Sequence, residues 1–215
     1  MAIKAIETEY NGYKFRSRLE ARWAVFFDTL GIKYEYEPEG YYGFEDTKYL
    51  PDFRLRIGNE NVFAEVKGCD TQLDKDWQKI ANSIDFASTP ISSGLLILGE
   101  IPNPNEIGYG KIPIFSYLYY HEGIVCDYAA FVSSGKKIIF GITAISNHMM
   151  RDLNQFNIDY SDCVNQKPSN VTTEIVIFDV FSSIKTRGDA LLSCAYKKAR
   201  QARFEYGETP VMANE

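Results

Sequence analysis

The stretch Tyr49-Leu50-Pro51-Asp52-Phe53-Arg54-Leu55-Arg56-Ile57-Gly58-Asn59-Glu60-Asn61-Val62-Phe63-Ala64-Glu65-Val66-Lys67 decides the fold. It reads as two strands, Tyr49 to Ile57 and Asn61 to Lys67, turned back through Gly58-Asn59-Glu60, because apolar residues alternate with polar ones and the join is made of turn formers. Strand side chains point alternately to the two faces of a sheet. With Gly58 opposite Asn61, Ile57 faces Val62, Leu55 faces Ala64 and Phe53 faces Val66, which makes one side wholly apolar. The other side carries Asp52, Arg54, Arg56, Phe63, Glu65 and Lys67. A slip of one residue would mix the two sets, so their separation predicts an antiparallel hairpin.

Working outward, Ser17 to Leu30 reads as a helix: Leu19, Trp23, Phe26, Phe27 and Leu30 recur at helical spacing and Gly31 supplies a stop. Lys33 to Glu37 alternates as a short strand, and Pro38 to Thr47 is turn-rich. Beyond the hairpin, Leu73 to Phe86 has a helical pattern around Trp77, Ile80, Ala81 and Ile84, and Leu95-Leu96-Ile97-Leu98, between Gly94 and Gly99, is a buried strand. After a loop from Ile101 to Lys111, strands are expected at Pro113 to Tyr120, Ile124 to Val132 and Lys137 to Thr143, with Ser133-Ser134-Gly135 as a turn. A short helix at Met149 to Gln155, a β-rich run at Val171 to Phe181 and a last helix from Thr186 to Tyr206 complete the chain. The predicted class is α/β: an α-β-β-β-α-β unit, a mixed sheet flanked by helices, over residues 1–100, and a β-rich elaboration with a terminal helix over residues 101–215.

Composition narrows the chemistry. A chain of 215 residues buries roughly 70% of its unfolded surface and needs no staple to fold. The apolar runs are shorter than the ~18 residues of a membrane span, and the first ten residues lack a charged-then-apolar leader pattern, so a cytoplasmic location is expected. The four cysteines form no C-x-x-C pair, and only two histidines exist, which disfavours zinc and imidazole chemistry. Carboxylates and lysine are left to carry any catalysis. A net charge of −6 argues against coating nucleic acid by bulk electrostatics but leaves room for a local basic groove.

The polar face of the hairpin has two readings. In the plainer one it is a ladder of cross-strand ion pairs, Asp52 with Lys67 and Arg54 with Glu65. In the other, Asp52 and Glu65 hold a metal. Two carboxylates ~5 Å apart repel by about 3 kcal/mol at an effective dielectric of 20, so they require a proton, a cation or a metal ion between them. Oxygen-only ligands select Mg2+ or Mn2+, with Asp52, Glu65 and the backbone carbonyl of Val66 as ligands. Lys67 lies on the same face as Glu65, placed to hold an attacking water and to offset charge on a phosphoryl group. Glu20 likewise has two readings, a third acid facing the sheet or the acidic half of a capping box Ser17-Arg18-Leu19-Glu20.

Four blocks in order, Phe15 to Ala24, Tyr34-Glu35-Tyr36-Glu37-Pro38-Glu39-Gly40, Tyr49-Leu50-Pro51-Asp52-Phe53 and Ala64-Glu65-Val66-Lys67-Gly68, resemble phage and prophage members of the PD-(D/E)XK, or restriction-endonuclease-like, nuclease superfamily. Ala199-Arg200-Gln201-Ala202-Arg203-Phe204-Glu205 is similar to an end segment of that group. The resemblance implies a metal-dependent DNA nuclease, encoded by a phage or mobile element, in which Asp52 and Glu65 are metal ligands, Lys67 is the catalytic lysine and Glu20 supports the metal through water. It also implies that the second helix, at Gln78 or Lys79, offers a polar group to the site or the DNA backbone.

Arg16, Arg18 and Arg22, with Lys197, Lys198, Arg200 and Arg203, are candidates for a phosphate-binding channel, or else two solvated helix faces. Tyr41, Tyr42, Tyr119 and Tyr120 are candidates for base stacking, against the plainer reading of core and surface aromatics. The alternatives to a DNA nuclease are a non-cleaving protein of the same fold acting on host DNA machinery or a defence protein, and a nuclease for RNA or branched DNA. A homodimer, cutting both strands, and a host protein partner are further expectations. No membrane partner is expected.

Overall fold

The computed structural model describes residues 6–42, 48–58, 60–68, 94–106, 113, 115–120, 124–134, 137–143, 173–178 and 190–204. The class is mixed α/β. A two-stranded ribbon comes first, β1 (Thr8–Tyr10) and β2 (Tyr13–Phe15), turned at Asn11-Gly12 where both residues have positive φ. It was not foreseen, although an Asn-Gly pair is a strong hairpin signal. Helix α1 (Arg18–Leu30) follows, then β3 (Lys33–Tyr36), a small ribbon of β4 (Tyr41–Tyr42) and β5 (Lys48–Tyr49), β6 (Phe53–Ile57) and β7 (Glu60–Val66). Next come β8 (Leu95–Leu98), a 3-10 turn at Pro104–Glu106, β9 (Phe115–Tyr120), β10 (Ile124–Ser134), β11 (Lys137–Thr143), β12 (Thr173–Phe178) and helix α2 (Ala190–Gln201).

Eight strands form one sheet in the order β12-β11-β10-β9-β8-β7-β6-β3. The β7–β8 and β11–β12 pairs are parallel, and the rest are antiparallel. The sheet thus runs without a break from the hairpin into the later strands, and β9 pairs directly with β8.

Helix α1 starts at Ser17, whose extended backbone and hydroxyl cap the first turn, and stops at Gly31 (φ 69). The Gly31 N–H donates to Asp28 O at 3.1 Å and the Ile32 N–H to Phe27 O at 2.9 Å, the Schellman closure that a left-handed glycine permits. The helix buries Ala21, Trp23, Ala24, Phe26, Phe27 and Leu30 against the sheet and against α2, where Phe26 stacks on Tyr196 at 4.4 Å. Leu19 is only half-buried. At the far end of the chain, Phe204 meets Tyr10 edge-on at 6.0 Å, so the N-terminal ribbon closes over the segment after α2.

Several expectations need correction. Tyr49 to Ile57 is not one strand: Pro51, which cannot donate to a ladder, falls where β5 leaves its own ribbon and before β6 joins the main sheet at Phe53. The hairpin register is offset by two residues, with Phe53 opposite Ala64 and Leu55 opposite Val62. Because the offset is even, every side chain keeps its face. Lys33 to Glu37 ends at Tyr36, since Glu37 has φ 45 and leaves the strand. The last helix is shorter than Thr186 to Tyr206 among the described residues, ending at Gln201. The expected helices Leu73 to Phe86, with Gln78 and Lys79, and Met149 to Gln155 lie outside the described residues. Among the described residues no helix is long and apolar enough to cross a membrane.

Candidate active site

The acids come together where α1 begins and β6 and β7 lie side by side. Asp52 is buried, 3% exposed, just before β6. Its Oδ2 accepts from the Val66 N–H at 2.7 Å and its Oδ1 from Arg16 Nη2 at 2.5 Å. Glu65, 8% exposed near the end of β7, accepts from Tyr49 Oη at 2.8 Å and from Lys67 Nζ at 2.5 Å. Burial, then the neighbouring Glu65 charge, and more weakly Glu20, push the Asp52 carboxyl up to about 7, against the opposing pull of the Val66 N–H and Arg16. Two acids press on each other here, each held in place by a donor of its own.

The cross-strand ladder does not form. Lys67 pairs with Glu65 on its own strand, Arg54 pairs with Glu35 of β3, and Asp52 takes Arg16 from the turn before α1. The two-residue offset in register removes the expected partners, and β3 supplies a nearer acid for Arg54.

Glu20, 7% exposed, satisfies both of its readings in part. The Ser17 hydroxyl accepts from the Glu20 N–H at 3.2 Å and donates to Glu20 Oε1 at 2.7 Å. Glu20 Oε2 takes the Arg16 N–H at 3.1 Å, one residue ahead of the usual capping-box donor, and Tyr36 Oη at 2.6 Å. Burial and Glu20 both raise the Tyr36 phenol, which stays protonated and able to donate. Ser17→Ala removes an N-cap and one of these donors, so an equilibrium denaturant titration should show a loss of about 1 kcal/mol.

Glu20 and Val66 also line a groove of about 650 Å³, together with Ser17, Arg18, Leu19, Arg22, Gly68, Glu100, Ile101 and Arg200. The structure therefore brings Arg18, Arg22 and Arg200 to one groove, whereas Arg16 is drawn into the acid site, its guanidinium also meeting Glu37 at 2.7 Å. Arg200 is anchored by a bond to Ile101 O at 2.7 Å. Lys197, Lys198 and Arg203 are exposed on or just after α2 and do not line the groove. Of the tyrosines, Tyr41 packs edge-on against Phe63, Tyr119 lies against Tyr117, and Tyr42 is exposed. The side chain of Tyr120 lies outside the described residues.

Sequence reasoning missed Tyr36, Tyr49 and Glu37. Tyr36 shares a face with Phe53 through the β3–β6 register, a relation that only the pairing reveals. Tyr49 reaches Glu65 from β5, which pairs with β4 outside the main sheet, a break that Pro51 could have signalled.

The donor set suits a hard divalent cation. Asp52 and Glu37 share the Arg16 guanidinium and Glu65 takes Lys67, while Glu20 receives the Arg16 backbone N–H and two hydroxyls; carboxylate oxygens of this kind are the donors that Mg2+ takes. Among the described residues no group of three His, Cys, Asp or Glu side chains stands in coordinating geometry. No family model matches the chain, and no curated protein sequence does.

Proposed function

We propose that this protein is a divalent-metal-dependent deoxyribonuclease with a restriction-endonuclease-like core. The observation that carries the reading is the pair Asp52 and Glu65, buried beside each other just before β6 and near the end of β7, with the Lys67 amine 2.5 Å from Glu65. Buried like charges are costly and are kept where their shared field has a task. The order α1, β3, β6, β7, with β8 parallel to β7, supports the fold assignment.

In this reading Asp52, Glu65 and the Val66 carbonyl hold Mg2+ or Mn2+, and Glu20 supports the ion through water. When bound, the ion supplies Lewis acidity toward a phosphodiester. Lys67 holds the attacking water and offsets the charge that gathers on the phosphoryl oxygens. Arg18, Arg22 and Arg200 fix the strand by its phosphates, with Lys197, Lys198 and Arg203 as an outer basic surface.

A second reading has one observation in its favour. Both oxygens of Glu20, Asp52 and Glu65 already accept internal hydrogen bonds, a closed network that a non-cleaving binding protein would also keep. One panel separates the two: linear, nicked, single-stranded and branched DNA, plus RNA, incubated with the protein with and without Mg2+ or Mn2+. Cleavage of DNA that requires the metal is expected, and Lys67→Ala should slow it by about 100-fold or more with the melting temperature little changed. Metal-independent retention of DNA without cutting would favour the binding role, and cleavage confined to RNA or to junctions would reassign the substrate.

A further inference from the structure

Asp52 is almost wholly enclosed, so a cation reaching its Oδ1 must displace what already sits there, and that is the Arg16 guanidinium at 2.5 Å. The Arg16 side chain is 56% exposed, so packing does not enclose it. Its Nε meets Glu37 Oε1 at 2.7 Å, so one guanidinium is shared between a buried acid and a more exposed one. Glu37 is one of two non-glycine residues with positive φ (45°) among the described residues, a conformation disfavoured for a side chain of its kind. The Glu37 N–H donates to the Asp52 carbonyl at 2.9 Å, which ties this unusual backbone directly to the acid site.

We infer that Arg16 stands in for the divalent cation when none is bound, and that Glu37 is the positioning residue that receives the guanidinium as the cation takes Asp52. The inference rests on the metal-site reading above. Arg16 and the cation compete for the same oxygen. A positive charge left beside the cation would repel it, and Glu37 offsets that charge by holding Arg16 through Nε. An arginine suits this exchange, since its Nη2 can release Asp52 while its Nε stays bound to Glu37.

Direct Mn2+ titration of the intact protein in mildly alkaline buffer, reading free Mn2+ by electron paramagnetic resonance, tests this without any cleavage assay. Arg16→Ala should bind Mn2+ about tenfold more tightly than the parent, since a charge-assisted bond no longer has to be broken first. Arg16→Gln keeps much of the stem packed and should shift the same way, so a folding defect in one variant leaves the other readable. Glu37→Gln should bind more weakly, and that loss should vanish when it is combined with Arg16→Ala, because Glu37 acts through Arg16. Glu35→Gln, which removes an acid paired instead with Arg54, should change affinity far less. Unchanged or weaker binding by both Arg16 variants overturns the inference. A Glu37→Gln loss of equal size with and without Arg16 overturns it too, since the effect would then be one of general charge. Absence of Mn2+ binding in the parent and every variant overturns it together with the metal-site reading, whereas tight binding insensitive to Arg16 overturns it alone.

Discussion

Asp52→Asn is expected to remove metal-dependent cleavage and, at neutral pH without metal, to melt higher than the parent. Loss of a charge that holds the ion should cost about 100- to 1,000-fold in rate. The stability gain follows from the folded-state position of this carboxyl, pushed up to about 7 first by burial and next by Glu65. A carboxyl that is raised on folding prefers its protonated form in the folded protein. Its contribution to stability is therefore complete below the ordinary carboxylate range, near pH 4, and is lost as pH rises toward 7. Moving this carboxyl from its ordinary range to about 7 corresponds to at most about 4 kcal/mol. Asparagine does not titrate, and its single carbonyl oxygen can keep one of the two bonds, from the Val66 N–H or from Arg16. A net gain of about 1–2 kcal/mol at pH 8 is the expected result. Urea melts of both proteins in chelator at pH 5 and pH 8 check it, with the larger difference expected at the higher pH. Added Mg2+ should stabilise the parent and leave the variant unmoved. A variant less stable at both pH values would mean that the Arg16 ion pair outweighs the repulsion, and a variant that still cuts would place the chemistry elsewhere.

Trp23→Ala should be the most damaging single change to the fold. Trp23 is fully buried and lies edge-on to Phe26 at 5.2 Å, Phe115 at 5.5 Å and Tyr196 at 6.3 Å, and stacks on Phe27 at 6.0 Å. It thereby joins α1 to the sheet and to α2. Its Nε1–H donates to Gly99 O at 2.8 Å, just beyond β8. Truncation removes the ring, leaves a cavity and orphans a carbonyl, for a loss of about 4–5 kcal/mol. Against a total stability of about 5–15 kcal/mol, that is a large fraction, and guanidinium melts should show it as a shift in midpoint at unchanged slope. Trp23→Phe keeps most of the packing and should lose about 1–2 kcal/mol, chiefly the Gly99 bond and part of a void. Because Glu100 and Ile101 line the groove next to that carbonyl, the phenylalanine variant also reports whether the groove depends on the anchor. A loss below about 1 kcal/mol for the alanine variant would contradict this account of the core.

The elements governed by local chemistry were the legible ones. Helix α1 carries its stripe, its serine cap and its glycine stop within fifteen residues of sequence, and each is where the pattern puts it. The polar and apolar faces of β6 and β7 were also readable, because an even offset in register leaves them intact. The offset itself was not readable, since the turn's geometry fixes it and alternation has the same period in either register. For that reason the ion pairs of Asp52, Arg54 and Lys67 went to other partners. In the sequence Arg16 stands in a cluster with Arg18 and Arg22, which fits a phosphate-binding channel or a solvated helix face equally well. Its turn toward Asp52 depends on the chain leaving the β1–β2 ribbon, a feature whose Asn11-Gly12 signal was passed over.

The contact of Tyr10 with Phe204, and of Phe26 with Tyr196, ties together segments that stand far apart in the sequence. During translation the first helix and its neighbours therefore emerge with their apolar flank uncovered, and they must wait for α2 to leave the ribosome before the interior is sealed. Such long-range closure sets a late checkpoint on assembly: an interrupted product that lacks α2 also lacks the Arg200 wall of the groove, so truncated chains forfeit packing and substrate surface together.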